Sequence, residues 1–202
     1  VATVESATVT VTPDNWNKST ESGTNTVTVT GVDDSAVAAG PQTTTITVAS
    51  PESTDVNYDG LVTATAQTVG VTVDDDEIAG YGVSATAVNV DEGGVVTFNV
   101  VLDSQPTHNV TFTVSSTDET VATVESATVT VTPDNWNKPT ESGTNTVTVI
   151  GGNDSVIDDP ETTTITVASP ESTDANYDGL VLATAQTVEV TVDDDEIAGY
   201  GV

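Results

Sequence analysis

Cysteine, methionine and arginine are all absent from this 202-residue sequence, and His108 is its only histidine. Without cysteine the chain can form no disulfide, zinc–thiolate site or iron–sulfur cluster. A Ser-His-Asp triad would have to use His108. No apolar run reaches the ~18 residues of a membrane-spanning helix. We therefore expect neither a thiol-based site nor insertion into a membrane.

Positive charge is nearly absent as well. The chain has two lysines and 32 acidic side chains, and its net charge is −30. Two lysines cannot neutralise a run of phosphates, so nucleic acid and anionic lipid surfaces are excluded as partners. Such self-repulsion opposes folding unless something neutralises the acids. A divalent cation is the obvious candidate.

The sequence contains an internal repeat. Residues 1–83 and 121–202 align over 82 positions with 12 substitutions and one extra residue in the first copy, whereas residues 84–120 occur once. We interpret residues 78–196 as one complete repeat and residues 1–77 as the last two-thirds of the preceding one. Residues 197–202 repeat Ile78–Val83 and are interpreted as the start of another. The chain therefore reads as part of a tandem array of domain-sized units.

Apolar residues alternate with polar ones throughout the complete repeat. Val96, Phe98, Val100 and Leu102 show this period of two, which is typical of strands with one buried face. About seven such segments are separated by turn-rich sequences such as Asp91–Gly94, and no helical pattern of useful length is present. This pattern predicts an all-β fold, an antiparallel two-sheet β-sandwich in tandem repeats.

The acidic residues concentrate in the predicted turns. In the complete repeat they form four groups, which are Asp91-Glu92, Asp118-Glu119, the loop from Asp154 through Asp158 and Asp159 to Glu161, and the run Asp193–Glu196. Oxygen donors from several loops are what Ca²⁺ prefers, whereas a transition metal would favour His and Cys ligands, which these four groups lack. The alternative is a solvated acidic surface, as in a halophilic protein, with no stoichiometric calcium effect.

The order of these motifs resembles the Calx-beta family, whose domains recur in large bacterial surface and secreted proteins. The matching segments are VDEGG (90–94), TFNVVLDSQPT (97–107), VTVTPDNWNKP (129–139), TVTVIGGNDSVIDDPETTTITV (146–167), ANYDGL (175–180) and VTVDDDE (190–196). The resemblance implies an immunoglobulin-like β-sandwich.

The resemblance also implies a set of Ca²⁺ ligands. Carried over to this chain they are Glu92, Asp154, Asp158, Asp159, Asp193, Asp194, Asp195 and Glu196, with Asp118 as a weaker candidate. The first copy has Ala38 and Ala39 where the second has Asp158 and Asp159. We therefore expect a weaker or empty site there, formed by Asp33, Asp34, Asp74, Asp75, Asp76 and Glu77.

The combined pattern favours a structural role outside the cell. The predicted function is a calcium-stiffened spacer in the stalk of an adhesin-like surface protein, with neighbouring repeats as its partners and no enzymatic activity. The alternative is a repeat that itself binds polysaccharide, or neighbouring copies in a filament. Trp136 and its copy Trp16 are the weak ligand candidates, although a lone tryptophan in a sandwich more often covers one end of the core.

Overall fold

The computed structural model describes residues 1–18, 25–62, 67–140, 143–182 and 184–199. It divides into two compact units, one of residues 1–34 and 38–76 and the other of residues 35–37 and 77–202. The repeat boundaries inferred above stay a prediction, and residues 200–202 of the expected further repeat lie outside the described part. No helix long and apolar enough to cross a bilayer is found in the described ranges.

The described residues of the second unit form ten strands in two sheets. In chain order they are β5 (Tyr81–Val83), β6 (Ala87–Asp91), β7 (Val95–Leu102), β8 (Val110–Ser116), β9 (Ala122–Val124), β10 (Thr128–Val131), β11 (Thr146–Gly151), β12 (Glu161–Val167), β13 (Glu171–Ser172) and β14 (Gln186–Asp193). One sheet has the order β10-β8-β12-β14-β6, with β13 also paired to β8, and the other has the order β5-β7-β11-β9.

The predicted all-β sandwich is confirmed by these two sheets. The seven strands with alternating apolar residues are all present, and the prediction missed the three shortest strands, β5, β9 and β13. These contain too few residues for a period of two to be recognised. Every pairing in this unit is antiparallel except that of β6 with β14, which is parallel in the register Val88↔Val190. The first and last long strands therefore end side by side at Asp91 and Asp193.

A single apolar core lies between the two sheets. Phe98, Phe112, Val149, Ile165 and Val190 are each at most 1% exposed. The ring of Tyr81 on β5 packs against that of Phe112 on β8, with centroids 4.8 Å apart and planes tilted by 53°. Burying this alternating set of Val, Ile and Phe side chains is the main driving force for folding of the unit, since each contributes about 1.5–3 kcal/mol.

In the first unit, the part of the chain that the structure describes forms four strands in two separate pairs. β1 (Ala2–Val4) pairs with β2 (Val29–Gly31), and β3 (Gln42–Val48) pairs with β4 (Gln67–Val73), both antiparallel. Among the described residues of this unit no hydrophobic side chain is buried. Tyr58 is 59% exposed, whereas its copy Tyr177 is 0% exposed in the second unit.

Candidate functional site

Three acidic segments of the second unit meet at one end of the sandwich. β6 and β14 run parallel and end there, β7 begins there, and the antiparallel β11 ends opposite the start of β7. The turn after β6, the loop after β11 and the segment after β14 therefore emerge together. The sandwich topology brings Glu92, Asp158 and Asp194 together although they are far apart in sequence.

The turn between β6 and β7 is held by backbone hydrogen bonds on both sides. Gly94 N donates to Asp91 O at 2.8 Å, and Gly93 has a positive φ of 64°, which a glycine adopts without steric cost. Glu92 N donates to Asp193 O at 3.0 Å, and Gly93 N donates to Gly152 O at 3.0 Å. The turn is thus joined to the end of β14 and to the loop after β11, and the position of Glu92 is set by both.

The loop after β11 is held to this turn by contacts of its own. Asp154 N donates to Glu92 Oε2 at 3.1 Å, and Asp158 N donates to Asp194 Oδ1 at 3.3 Å. Val156 N donates to Asp154 Oδ1 at 2.6 Å. Backbone amides, rather than basic side chains, accompany the carboxylates here. The three carboxylates of Glu92, Asp194 and Asp154 are therefore each anchored through one oxygen.

Carboxylate oxygens in this cluster lie close enough to share a cation. Glu92, Asp158 and Asp194 offer oxygens within 4.8 Å of one another, and so do Glu92, Asp195 and Glu196. Glu92 belongs to both groups. Within the described ranges, Glu196 Oε2 is a buried side-chain oxygen without a hydrogen-bond partner. A buried carboxylate oxygen with no donor is costly unless it gains a cation or a proton.

Desolvation, together with repulsion between neighbouring carboxylates, raises the pKa of two members of the cluster. Desolvation raises the pKa of Asp158 above its ordinary value, and the negative charges of Asp154, Asp194 and Asp159 raise it further. The pKa of Glu196 is also raised, first by desolvation and then by neighbouring carboxylates, of which Glu92 contributes most. Both groups are therefore harder to ionise here than in water. A bound divalent cation would reverse that preference.

Other predicted ligands of the second unit lie outside these two groups. Asp118 accepts hydrogen bonds at Oδ1 from the backbone and hydroxyl of Thr120, at 2.9 and 2.6 Å, and these bonds lower its pKa. Its carboxylate binds within its own turn and belongs to neither of the two groups that contain Glu92. Asp154 is joined to Glu92 through its backbone, while Asp159 is exposed and Asp193 is half-buried at the end of β14.

The first copy's acids are also close in pairs. Asp33 and Asp76 have carboxylate oxygens within 4.8 Å of each other, as do Asp34 and Asp75. The exposed Asp74 lies outside both pairs, and Glu77 belongs to the second unit. Ala38 N donates to Asp75 Oδ2 at 3.1 Å, where the second copy has the amide of Asp158 bonded to Asp194. The first copy has Ala38 at the position of Asp158. It therefore keeps this backbone contact and lacks one carboxylate.

The two tryptophans differ in their surroundings. Trp136 is half-buried against the core, and its carbonyl accepts a hydrogen bond from Leu102 N at 2.8 Å. Trp16 is 70% exposed. Trp136 therefore covers one edge of the core, and its role as a ligand contact stays a prediction.

A second polar centre, which the sequence did not predict, surrounds Asp174. This side chain is 5% exposed and accepts hydrogen bonds at Oδ2 from the backbone and hydroxyl of Thr107, at 2.7 and 2.9 Å. Asn176 N donates to its other oxygen at 3.0 Å. Burial alone would raise the pKa of Asp174, but these hydrogen bonds lower it overall. An isolated aspartate in a turn-rich segment carries no signal of such burial, because the donors of Thr107 come from a distant loop.

Tyr177 anchors the same loop. Its hydroxyl donates to Ser104 O at 2.7 Å and lies 2.7 Å from Ser104 Oγ, and Ser104 N donates to it at 3.3 Å. The loop that follows β7 is therefore joined to the segment before β14. Asp174 and Tyr177 are structural groups, with their polar atoms already satisfied by the fold.

Comparison with known proteins gives no assignment for this chain. No family model matches it, and no curated protein matches it. Among solved structures, it is similar to domains 4 and 5 of the S-layer protein SbsC at 21% identity, covering 84% of this chain and 82% of that one with a TM-score of 0.37. It is also similar to the Salmonella enterica SafA pilin in complex with the SafB chaperone, at 14% identity over 61% of this chain and 58% of that one with a TM-score of 0.39.

The E. coli chaperone DraB is similar at 10% identity, with 61% and 58% of the two chains covered and a TM-score of 0.38. These similarities are too distant to assign a function. A functional assignment therefore has to be argued from the residues of this chain.

Proposed function

We propose that this chain is a structural repeat segment of a long extracellular bacterial surface protein, in which Ca²⁺ binding stiffens a spacer. The observation that carries the proposal is the convergence of Glu92, Asp158, Asp194, Asp195 and Glu196 at one end of the sandwich. The order of the motifs resembles that of Calx-beta domains, and this resemblance supports the same structural role.

The donor set suits a hard divalent cation. All of its side-chain ligands are carboxylates, the set contains no His or Cys, and Glu196 Oε2 is left without a partner among the described residues. Ca²⁺ accepts six to eight oxygens in adaptable geometry, whereas Mg²⁺ demands a tighter octahedron. When bound, the cation supplies charge neutralisation, and Glu92, with its place in both groups, is the residue on which we expect binding to depend most.

Binding at this place would restrain the segment that leaves the domain. Asp194, Asp195 and Glu196 follow the last strand, while Glu92 and Asp158 belong to the turn and loop beside it. A cation shared among them joins the exit segment to the body of the sandwich. We propose that this is how one repeat is held in a defined direction relative to the next. Ca²⁺ is scarce in the cytosol and abundant outside cells, so this stiffening would follow secretion.

Thermal unfolding of the full chain tests the calcium proposal. The chain is melted in EDTA and in millimolar Ca²⁺, with Mg²⁺ and matched ionic strength as controls. A ligand present at one hundred times its Kd stabilises the folded state by ~2.7 kcal/mol. We expect a Ca²⁺-specific rise in the melting temperature of the second unit. An equal, modest gain in calcium and in monovalent salt would instead identify the acids as a solvated surface.

A double substitution localises the effect. Asp158→Ala with Asp159→Ala reproduces the first copy and should remove most of the calcium-dependent rise. The matched control, Glu125→Ala with Asp134→Ala, removes two exposed carboxylates outside the cluster and should leave that rise intact. If both variants lost it equally, general charge rather than this cluster would be responsible.

A further inference from the structure

A short segment that lies between β2 and β3 in sequence is packed into the second unit. Residues 35–37 belong to that unit, together with residues 77–202. Gln105 N donates to Ser35 O at 2.6 Å, and Asn176 Nδ2 donates to Val37 O at 3.3 Å. Two backbone carbonyls of the segment are therefore recognised by two loops, one after β7 and one before β14.

The two loops that form this acceptor are held by contacts that do not involve the segment. Gln105 Nε2 donates to Pro133 O at 3.0 Å. Tyr177, which follows Asn176 directly, donates through its hydroxyl to Ser104 O at 2.7 Å and so joins the two loops. Because the acceptor is held in place by the fold itself, little of its conformational freedom is lost when a segment docks.

The copy of this segment in the second repeat carries larger apolar side chains. Residues 155–157 align with residues 35–37, with Val156 in place of Ala36 and Ile157 in place of Val37. Val156 is 59% exposed and Ile157 is 55% exposed, whereas Ala36 and Val37 are half-buried. A larger apolar side chain is favourable only where another surface removes it from water. The copy is therefore suited to the same kind of docking, with more apolar surface to bury.

Both copies hold the segment by the same backbone contact. Asp158, which follows the segment in the second copy, donates from its backbone N to Asp194 Oδ1 at 3.3 Å. Ala38 follows the segment in the first copy, and its backbone N donates to Asp75 Oδ2 at 3.1 Å. Asp75 and Asp194 occupy equivalent positions in the two acidic runs. The loop in the second copy thus presents its segment in the way that leads to docking in the first.

We propose that residues 155–157 dock on the loops that contain Gln105 and Asn176 in the repeat that follows in the same chain. The docked segment seen here precedes its acceptor along one chain, and this order identifies the partner as the following repeat. Each repeat would then make one such contact, which restrains successive repeats in addition to the proposed cation. This inference rests on the tandem arrangement of the proposed spacer and is independent of calcium.

Single cysteines test the docking, because the chain has no cysteine of its own. Val37→Cys and Ile157→Cys are made separately in the full chain, and the rate of thiol alkylation is measured in EDTA. We expect the cysteine at position 37 to react at least ~10-fold more slowly than the one at position 157, because a docked segment must open before the reagent reaches it. Equal rates would show that the acceptor does not hold the segment and would overturn the proposal.

Extending the full chain by one repeat tests the docking of residues 155–157 themselves. Residues 84–202 are added after Val202, which completes the repeat that residues 197–202 begin. Ile157→Cys should then react at least ~10-fold more slowly than in the 202-residue chain. An unchanged rate in the extended chain, with the added repeat shown to be folded by its heat of unfolding, would also overturn the proposal.

A matched pair of variants of the extended chain locates the contact. Asn176→Ala in the added repeat removes a donor to the segment and should restore fast alkylation at position 157. Asn57→Ala changes the exposed copy of Asn176 and should leave the alkylation slow. The same rate in both variants would contradict docking on Asn176. Since all rates are measured in EDTA, a failure of this proposal is distinguishable from a failure of the calcium proposal, which the thermal melts report.

Discussion

At the scale of single residues, the two copies allow some buried groups to be compared with an exposed twin. Asp174 is buried among hydrogen bonds from Thr107 and Asn176, whereas its copy Asp55 is exposed and bonds locally to Asn57. The energetic importance of a side chain is therefore set by its surroundings, since a lost hydrogen bond is costly only where water cannot replace it.

Replacing Asp174 with asparagine should destabilise the second unit by about 2 kcal/mol, because the backbone and hydroxyl donors of Thr107 lose a charged, buried acceptor. The measurement is chemical denaturation of the full chain, with Asp55→Asn as the control. We expect the control to change the stability by less than about 0.5 kcal/mol. An equal loss in both variants would show that the local Asx turn, and not burial, carries the effect.

Tyr177→Phe should lower the stability of the second unit by about 1–2 kcal/mol, since the ring stays packed while the hydroxyl contacts with Ser104 are lost. The same change at Tyr58, which is 59% exposed, should be close to neutral. Guanidinium unfolding of both variants distinguishes these outcomes. A neutral Tyr177→Phe would mean that Ser104 finds water as a substitute.

At the scale of elements, the exit from β11 depends on a close approach between backbones. Gly152 N donates to Val121 O at 2.7 Å, and a Cβ at this glycine would clash with the backbone oxygen of Thr120. The first copy has Val32 at the equivalent position, where it is 44% exposed. The loop that positions Asp154 and Asp158 therefore needs a glycine only where the sandwich is closely packed.

Gly152→Val, which reproduces the first copy, should destabilise the second unit by about 2–3 kcal/mol and weaken calcium binding, because the chain must move away from Thr120. Val32→Gly is the reciprocal control and should have a small effect. Thermal melts with and without Ca²⁺ measure both consequences. Unchanged stability in Gly152→Val would show that the loop can shift freely.

At the scale of the whole molecule, a net charge of −30 makes stability depend on solution conditions. Asp158 and Glu196 have raised pKa values in the fold, so they favour folding when protonated and oppose it as pH rises through those values. Asp174 acts in the opposite sense. Its lowered pKa stabilises the fold above the ordinary value near 3.9, and this contribution is lost as pH falls further.

The metal-free protein should therefore gain stability as pH falls from neutral through the raised pKa values of Asp158 and Glu196, and lose stability once pH falls below about 4. In saturating Ca²⁺ the stability gained as pH falls from neutral should disappear, because protons and the cation compete for the same oxygens. Melting temperatures measured from pH 3 to 8, in EDTA and in Ca²⁺, test this. A calcium-independent profile would contradict the assignment of the cation to Asp158 and Glu196.

The alternation of apolar residues was enough to predict seven strands of the second unit, their buried faces and the all-β sandwich. This worked because Val, Ile and Phe with a period of two have one stable solution, which is to bury one face of a sheet. The sequence also located the acids in turns. It could not reveal the parallel pairing of β6 and β14, which brings Glu92 beside Asp194, or the burial of Asp174, since both depend on distant partners.

The two copies separate what sequence determines from what tertiary structure decides. Pattern and turn residues determine which segments become strands and which side chains share a face, because these are local properties of the chain. Whether that face is buried is decided by the strands that arrive from elsewhere. Tyr58 and Tyr177 lie in nearly identical segments, yet only Tyr177 is covered, because β7 and β8 complete the core around it.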